Sequence, residues 1–287
     1  MSHTNPEIYA VPDAERAGAI VYWRLSGTVD ALKLTEAWQD AGLADALLPE
    51  TPTPDAALRR AVYEQKARRR LVRKLPNGKG WAIVEEKIEG DDLAYAVGLR
   101  VTLNKIGRVA LHADEDKSDL ASVQVIGGEI VNAFDQHLDH FSASDISAWL
   151  VHFAAKCGAV SLRERGGIYF VPRDTLPYWR KAVAAIASAS DHSCYEIPAL
   201  KSDEAVDAIL DAVMREAQSA TDAMADELET GELQARALCN REEQCTAILA
   251  KLKQYEALLG RNMGTLTARV DDLKADIAIA ALAVGEI

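Results

Sequence analysis

From Glu204 to Ile287 the chain has no proline, no phenylalanine, no tryptophan and a single aromatic ring, Tyr255. That shortage excludes a compact aromatic core in this stretch and leaves nothing to interrupt long helices, which its Ala, Leu, Glu, Lys and Arg favour. Cysteine is also scarce. Cys157, Cys194, Cys239 and Cys245 form no CxxC pair and no dense framework, which points to free, mostly buried thiols in a reduced, cytoplasmic setting. No run of about 18 apolar residues is present, so no membrane span is expected, and no basic n-region precedes an apolar run at the start. The most apolar tail, Ile277 to Val284, is too short. Phosphate-cradling GxxxxGK[ST], dinucleotide-type GxGxxG and nucleophile-elbow GxSxG patterns are missing as well, so enzyme activity and a cofactor are not expected.

The chain is acidic, with 44 Asp and Glu against 32 Lys and Arg and a net charge of −12. Such a balance opposes coating nucleic acid with the whole surface. One segment runs against it: between Arg59 and Lys79 stand nine basic residues and one acid, Glu64.

The part before Glu204 reads as a mixed body. Ala17 to Leu25 suits a buried strand, and Ala31 to Gly42 carries Leu32, Leu34, Ala37, Trp38 and Ala41 largely on one side of a helix. Thr53 with Pro54 at the first helical position opens a second helix, expected over 54–70 with its basic residues at the C-terminal end. Strands follow at Leu71 to Leu75, Trp81 to Ile88, Leu93 to Leu103 and Arg108 to His112, an antiparallel meander whose first turn is Asn77-Gly78. A helix is expected over 117–140. Ser142 with Asp145 resembles a capping box for a helix ending near Gly158, a hairpin turns at Gly166-Gly167, a helix follows over 176–188, and Cys194 to Pro198 reads as a short strand. Helix followed by basic-tipped hairpin thus occurs twice.

In the proline-free arm, apolar residues recur at steps of three and four: Leu210, Val213, Ala217, Ala220 and Met224, then Cys245, Ile248, Leu252, Tyr255 and Leu259, then Met263, Leu266, Val270, Leu273, Ile277 and Ala280. This is a coiled-coil-like seam, with breaks expected at Gly231 and near Gly260. It has two uses, folding back on the chain itself or meeting a partner. The residues read as a partner seam are Ile248, Leu252, Tyr255, Leu259, Leu266, Val270, Leu273 and Ile277.

Two further clusters carry chemistry. Arg68, Arg69, Arg70, Arg73, Lys74 and Lys79, near Trp81, are the candidate phosphate contacts of a wing-like hairpin, or else a complement to the arm, which from Asp203 onward has 17 acids against 8 bases. Asp135, His137 and His140 in FDQHLDHF, with His152 as a further ligand, are weak metal candidates because the HExxH general base is absent. Gly90-Asp91-Asp92 and Asp114-Glu115-Asp116 read as solvated acidic turns.

The stretch AVSLRERGGIYFVPRDTLPYW, followed by CYEIPAL and a helix, resembles a family of uncharacterised proteins encoded by phages, mobile elements and some archaea. The resemblance covers roughly Ser142 to Ala212, centres on GGIYFVP, and implies no catalytic residues.

The fold class expected is α+β, an antiparallel-sheet body with two helix-hairpin, winged-helix-like units and a long α-helical, coiled-coil-like C-terminal arm. The expected domains are 1–116, 117–201 and 202–287. The function expected is a non-enzymatic assembly or adaptor protein that self-associates or binds a protein partner through its C-terminal helices. The alternatives are a winged-helix-like nucleic-acid binder using the basic 59–79 patch and a metal-dependent hydrolase or nuclease.

Overall fold

The computed structural model describes residues 16–76, 78–89, 92–113, 120–164, 166–231 and 233–285. Asn77, the Gly90-Asp91 pair and the Asp114-Glu115-Asp116 cluster lie outside them. The fold is α+β with antiparallel sheets, and the chain divides into two compact units, one of residues 16–24, 150–183 and 193–285, the other of residues 25–149 and 184–192.

The first unit is built on a four-stranded sheet ordered β10-β1-β9-β8, with β1 at Arg16–Arg24, β8 at Val160–Ser161, β9 at Ile168–Pro172 and β10 at Ser193–Leu200. In β1, Ala17, Ala19 and Val21 are fully buried at alternate positions, the period of a strand with one face against a core. Its neighbours are remote in sequence: Ile20 faces Phe170 on one side and Ile197 on the other. This unit contains the start of α5 (Leu176–Ala189) and the three C-terminal helices α6 (Asp203–Glu229), α7 (Ala235–Leu259) and α8 (Gly264–Gly285). Ser202 caps α6 by accepting from the Ala205 amide. The proline-free stretch therefore forms three helices, broken at Gly231 and Gly260. Gly260 takes the left-handed conformation (φ 67°) as the C-terminal cap of α7, a geometry that costs a residue with a Cβ, and the Glu256 carboxylate then receives the Met263 amide at 2.6 Å.

The seam faces inward. Leu252, Tyr255, Val270 and Ile277 are 0–1% exposed, Leu259, Leu266 and Leu273 are also buried, and Ile248 packs half-buried against the same cluster, which includes Val160 and Phe170 of the sheet. Each fully buried side chain of this size contributes about 1.5–3 kcal/mol. The Tyr255 hydroxyl donates to the Gly158 carbonyl at 2.9 Å, and the Lys251 ammonium donates to the Ala159 carbonyl at 2.7 Å and to Glu216 at 2.6 Å. The leucines thus find their apolar surroundings within their own chain.

The second unit holds the meander. β3 (Arg70–Lys74), β4 (Trp81–Glu89), β5 (Asp92–Leu103) and β6 (Val109–Ala113) pair in sequence order, with α2 (Pro54–Glu64) and α3 (Leu120–Asp139) packed on one face. Their shared core contains Leu58, Ala61, Val62, Trp81, Ile83, Leu99, Val101, Ile130 and Phe134. Short strands β2 (Thr28–Asp30) and β7 (His140–Ser142) pair beside α1 (Ala31–Asp40). Trp38 and Trp149 meet edge-on at 5.4 Å, and their indole N–H groups donate to the carbonyls of Ala44 and Leu47, the polar outlet a buried tryptophan needs. The capping box is present: Ser142 Oγ accepts from the Asp145 amide while Asp145 accepts from the Ser142 amide at 3.0 Å, opening α4 (Ala143–Lys156). Burial by itself would raise the Asp145 pKa, but hydrogen bonds from Arg60 and Ser142 outweigh it and hold the carboxyl below its ordinary value.

One boundary differs from expectation. α2 ends at Glu64 rather than near Arg70, because the chain doubles back in a tight turn where Ala67 and Arg70 exchange both backbone hydrogen bonds at 3.1 Å. Arg68 and Arg69 therefore stand exposed in a turn, and Arg70 begins β3.

Candidate polyanion-binding cavity

The second unit has an open cavity of about 800 Å³ at the end of the meander. Three backbone features build it: the start of α2, the tip of the β3–β4 hairpin and the β5–β6 turn. Thr53 accepts from the Ala56 amide and fixes the helix start. At the hairpin tip the Leu75 amide donates to the Gly80 carbonyl and the Gly78 amide to the Leu75 carbonyl, both at 2.9 Å. The Asn104 side chain accepts from the amides of Ile106 and Arg108 at 3.0 Å each, an Asx-type turn that locks the third wall.

Gly80 is demanded by this geometry. Its φ is +139°, and a Cβ there would lie 2.4 Å from the Val101 carbonyl oxygen. No side chain fits without separating β4 from β5.

The cavity's charge is one-sided. Arg59, Lys74, Lys79 and Lys105 line it, against the single carboxylate of Asp55. Trp81, 8% exposed, supplies part of the apolar floor. Among the described residues no carboxylate forms an ion pair with Arg59, Lys74 or Lys105. The helix start adds little: Pro54 has no amide N–H, and Asp55 places a negative charge in the first turn.

The six basic residues read from the sequence separate in space. Lys74 and Lys79 line the cavity, Arg73 points from the opposite face of β3, and Arg70 approaches Glu85 at 3.8 Å. Arg68 and Arg69 lie beyond the other end of β3, about 15 Å from Lys74 at the rise of a strand. Arg59 and Lys105 were not among the six. Arg59 could have been found by counting helical turns back from Glu64, and Lys105 from the Asn104–Gly107 turn.

The metal candidates are engaged elsewhere. Asp135 receives Arg108 at 3.1 Å, His137 Nε2 meets the Glu64 carboxylate at 2.7 Å, and His140 Nδ1 lies 3.2 Å from the Gln136 carbonyl. Among the described residues no group of three His, Cys, Asp or Glu side chains is placed to hold a metal ion, and His152 is exposed on α4. No helix is long and apolar enough to cross a membrane, among those same residues.

The first unit has a more apolar cleft of about 550 Å³ between α6 and α7, floored by Met224 and Ile248. Lys251 and Glu216, two of its charged groups beside Lys156, already pair with each other.

Comparison with known proteins places the chain in a family of unknown function, DUF6744, which matches residues 17–285, so the chain belongs to that family. No curated protein and no solved structure matches it.

Proposed function

We propose that this member of the family binds a phosphate-rich polymer, a nucleic acid, through the basic surface of its second unit. The observation that carries the reading is the cavity with four cationic side chains and one carboxylate, held by fixed backbone, in a chain whose net charge is −12. Phosphate affinity is built from Lys and Arg contacts, and the field that matters is local, since charges beyond a Debye length of about 8–10 Å are screened. An acidic remainder then restricts contact to the basic surface of the second unit. The role proposed for the cavity is binding.

The test is a gel shift with a labelled oligonucleotide, comparing the natural chain with an Arg59→Glu, Lys74→Glu double variant. The variant is expected to abolish a salt-sensitive shift. Absence of any shift by the natural chain at low salt removes the proposal.

A second reading, an assembly or adaptor protein acting through the C-terminal helices, is favoured by Ile279 and Leu282, 66% and 71% exposed near the end of α8. Light scattering on Ile279→Glu, Leu282→Glu tests it, because a subunit count equal to that of the natural chain argues against a contact there. Deleting residues 203–287 would be a poor test, since it removes most of the first unit's core. The setting proposed for either role, a phage or mobile element and the cytoplasm, rests on the GGIYFVP hairpin and on the free thiols alone.

A further inference from the structure

We infer that the polymer is single-stranded, held by two basic surfaces on opposite faces of the meander; this rests on the nucleic-acid reading above. Residues directly opposite one another on paired strands share a face. Lys74, Trp81, Val101 and Leu111 form one such row, and Trp81 and Val101 belong to the core under α2 and α3, so this row lies on the helix side with the cavity. The adjacent row, Arg73, Ala82, Arg100 and His112, lies on the other side.

Arg73, Arg100 and His112 are all exposed. At a strand spacing of about 4.8 Å, Arg73 and Arg100 stand roughly 10 Å apart across Ala82, with His112 one strand further. No described carboxylate forms an ion pair with Arg73 or Arg100. The register shift in β5, where Leu99 faces Ile83 and Val97 faces Val84, keeps Tyr95 on this same face. Its ring is 57% exposed, and stacking of bases on exposed rings is how sequence-tolerant single-strand binders gain affinity. Glu86, opposite Tyr95, is an acid on that face.

Duplex DNA bends smoothly only over lengths of about 150 base pairs. A rod that stiff meets the cavity or the outer row, but does not turn around a hairpin tip to reach both. A single strand can pass from Lys105 and Lys74 around the tip to Arg73 and Arg100.

The experiment measures fluorescence anisotropy with the full chain, a labelled oligo-thymidine or oligo-uridine of about 20 nucleotides, and a duplex of equal length, as a function of salt. The variants are Arg100→Gln on the outer face and Lys105→Gln in the cavity, with circular dichroism confirming that both fold. Tighter binding of the single strand is expected, with each variant lowering its salt slope by about 0.7, the value of one lost phosphate contact. Equal or tighter duplex binding, with Arg100→Gln leaving the single-strand slope unchanged, overturns the inference and leaves the cavity reading standing. No binding of either form at about 50 mM salt sinks both.

Discussion

Tyr255 is where the inward packing of the C-terminal helices can be weighed. The side chain is fully buried, its ring lies 6.1 Å from Phe170 of β9 at a tilt of 56°, and its hydroxyl donates to the Gly158 carbonyl at 2.9 Å. Burial pushes its pKa far above the ordinary tyrosine value, with the Glu216 charge adding to the effect, so the hydroxyl keeps its proton at every working pH. Tyr255→Phe keeps the ring and removes the donor, leaving the Gly158 carbonyl without it, which costs about 1–2 kcal/mol. Tyr255→Ala also empties the ring's volume and costs about 3–5 kcal/mol. At about 2–4 °C per kcal/mol for a unit of this size, the first change lowers the midpoint by roughly 2–8 °C and the second by 6 °C or more. The assay is calorimetry together with urea titration on the full chain at several protein concentrations. Because the seam is satisfied within the chain, the midpoint of the first unit should not depend on concentration. Loss of less than about 1 kcal/mol in Tyr255→Ala, or a midpoint that climbs with concentration, would refute the packing argument.

Gly80→Ala should destabilise the second unit by more than about 1 kcal/mol, since a positive φ and a carbonyl 2.4 Å from the new Cβ both oppose it; it should also weaken oligonucleotide binding, read in the same anisotropy assay. His192 is 5% exposed, its Nδ1 accepts from the Ser26 amide at 3.4 Å, and burial lowers its pKa below 6.5 against the opposing pull of the nearby Asp191 charge. Unfolded chains then bind the proton more readily than folded ones, so stability is complete above pH 6.5 and falls as the pH drops toward the folded value. His192→Gln should flatten that part of a stability-versus-pH curve, and an unchanged slope in the variant would assign the dependence to another group.

Local signals were legible in the sequence and non-local ones were not. The strands of the meander, the Thr53 and Ser142–Asp145 caps and the break at Gly260 follow from residues within a few positions of each other, where propensity and turn chemistry act. The sheet of the first unit does not, because residues near position 20 pair with residues near 170 and 197, and nothing in a single strand names its partner. A three-four apolar rhythm also serves a helix packed on its own chain as well as one packed on another, so Leu252 and Val270 gave no direction. The basic patch was visible as composition, but its division between two faces depends on strand register and on the shift near Gly98, which periodicity does not encode. Arg100 and Lys105, outside the dense basic run, became candidates only through that register and the Asn104 turn.

The most direct measurement is the affinity of the natural chain for a labelled oligonucleotide across a salt series. For a single strand, the four cations in the cavity predict a straight fall of log K with log salt at a slope of at least roughly −3, and of roughly −4 where Arg73 and Arg100 are engaged as well, about 0.7 for each phosphate held. Binding indifferent to salt, or none at the lowest salt, would contradict the account.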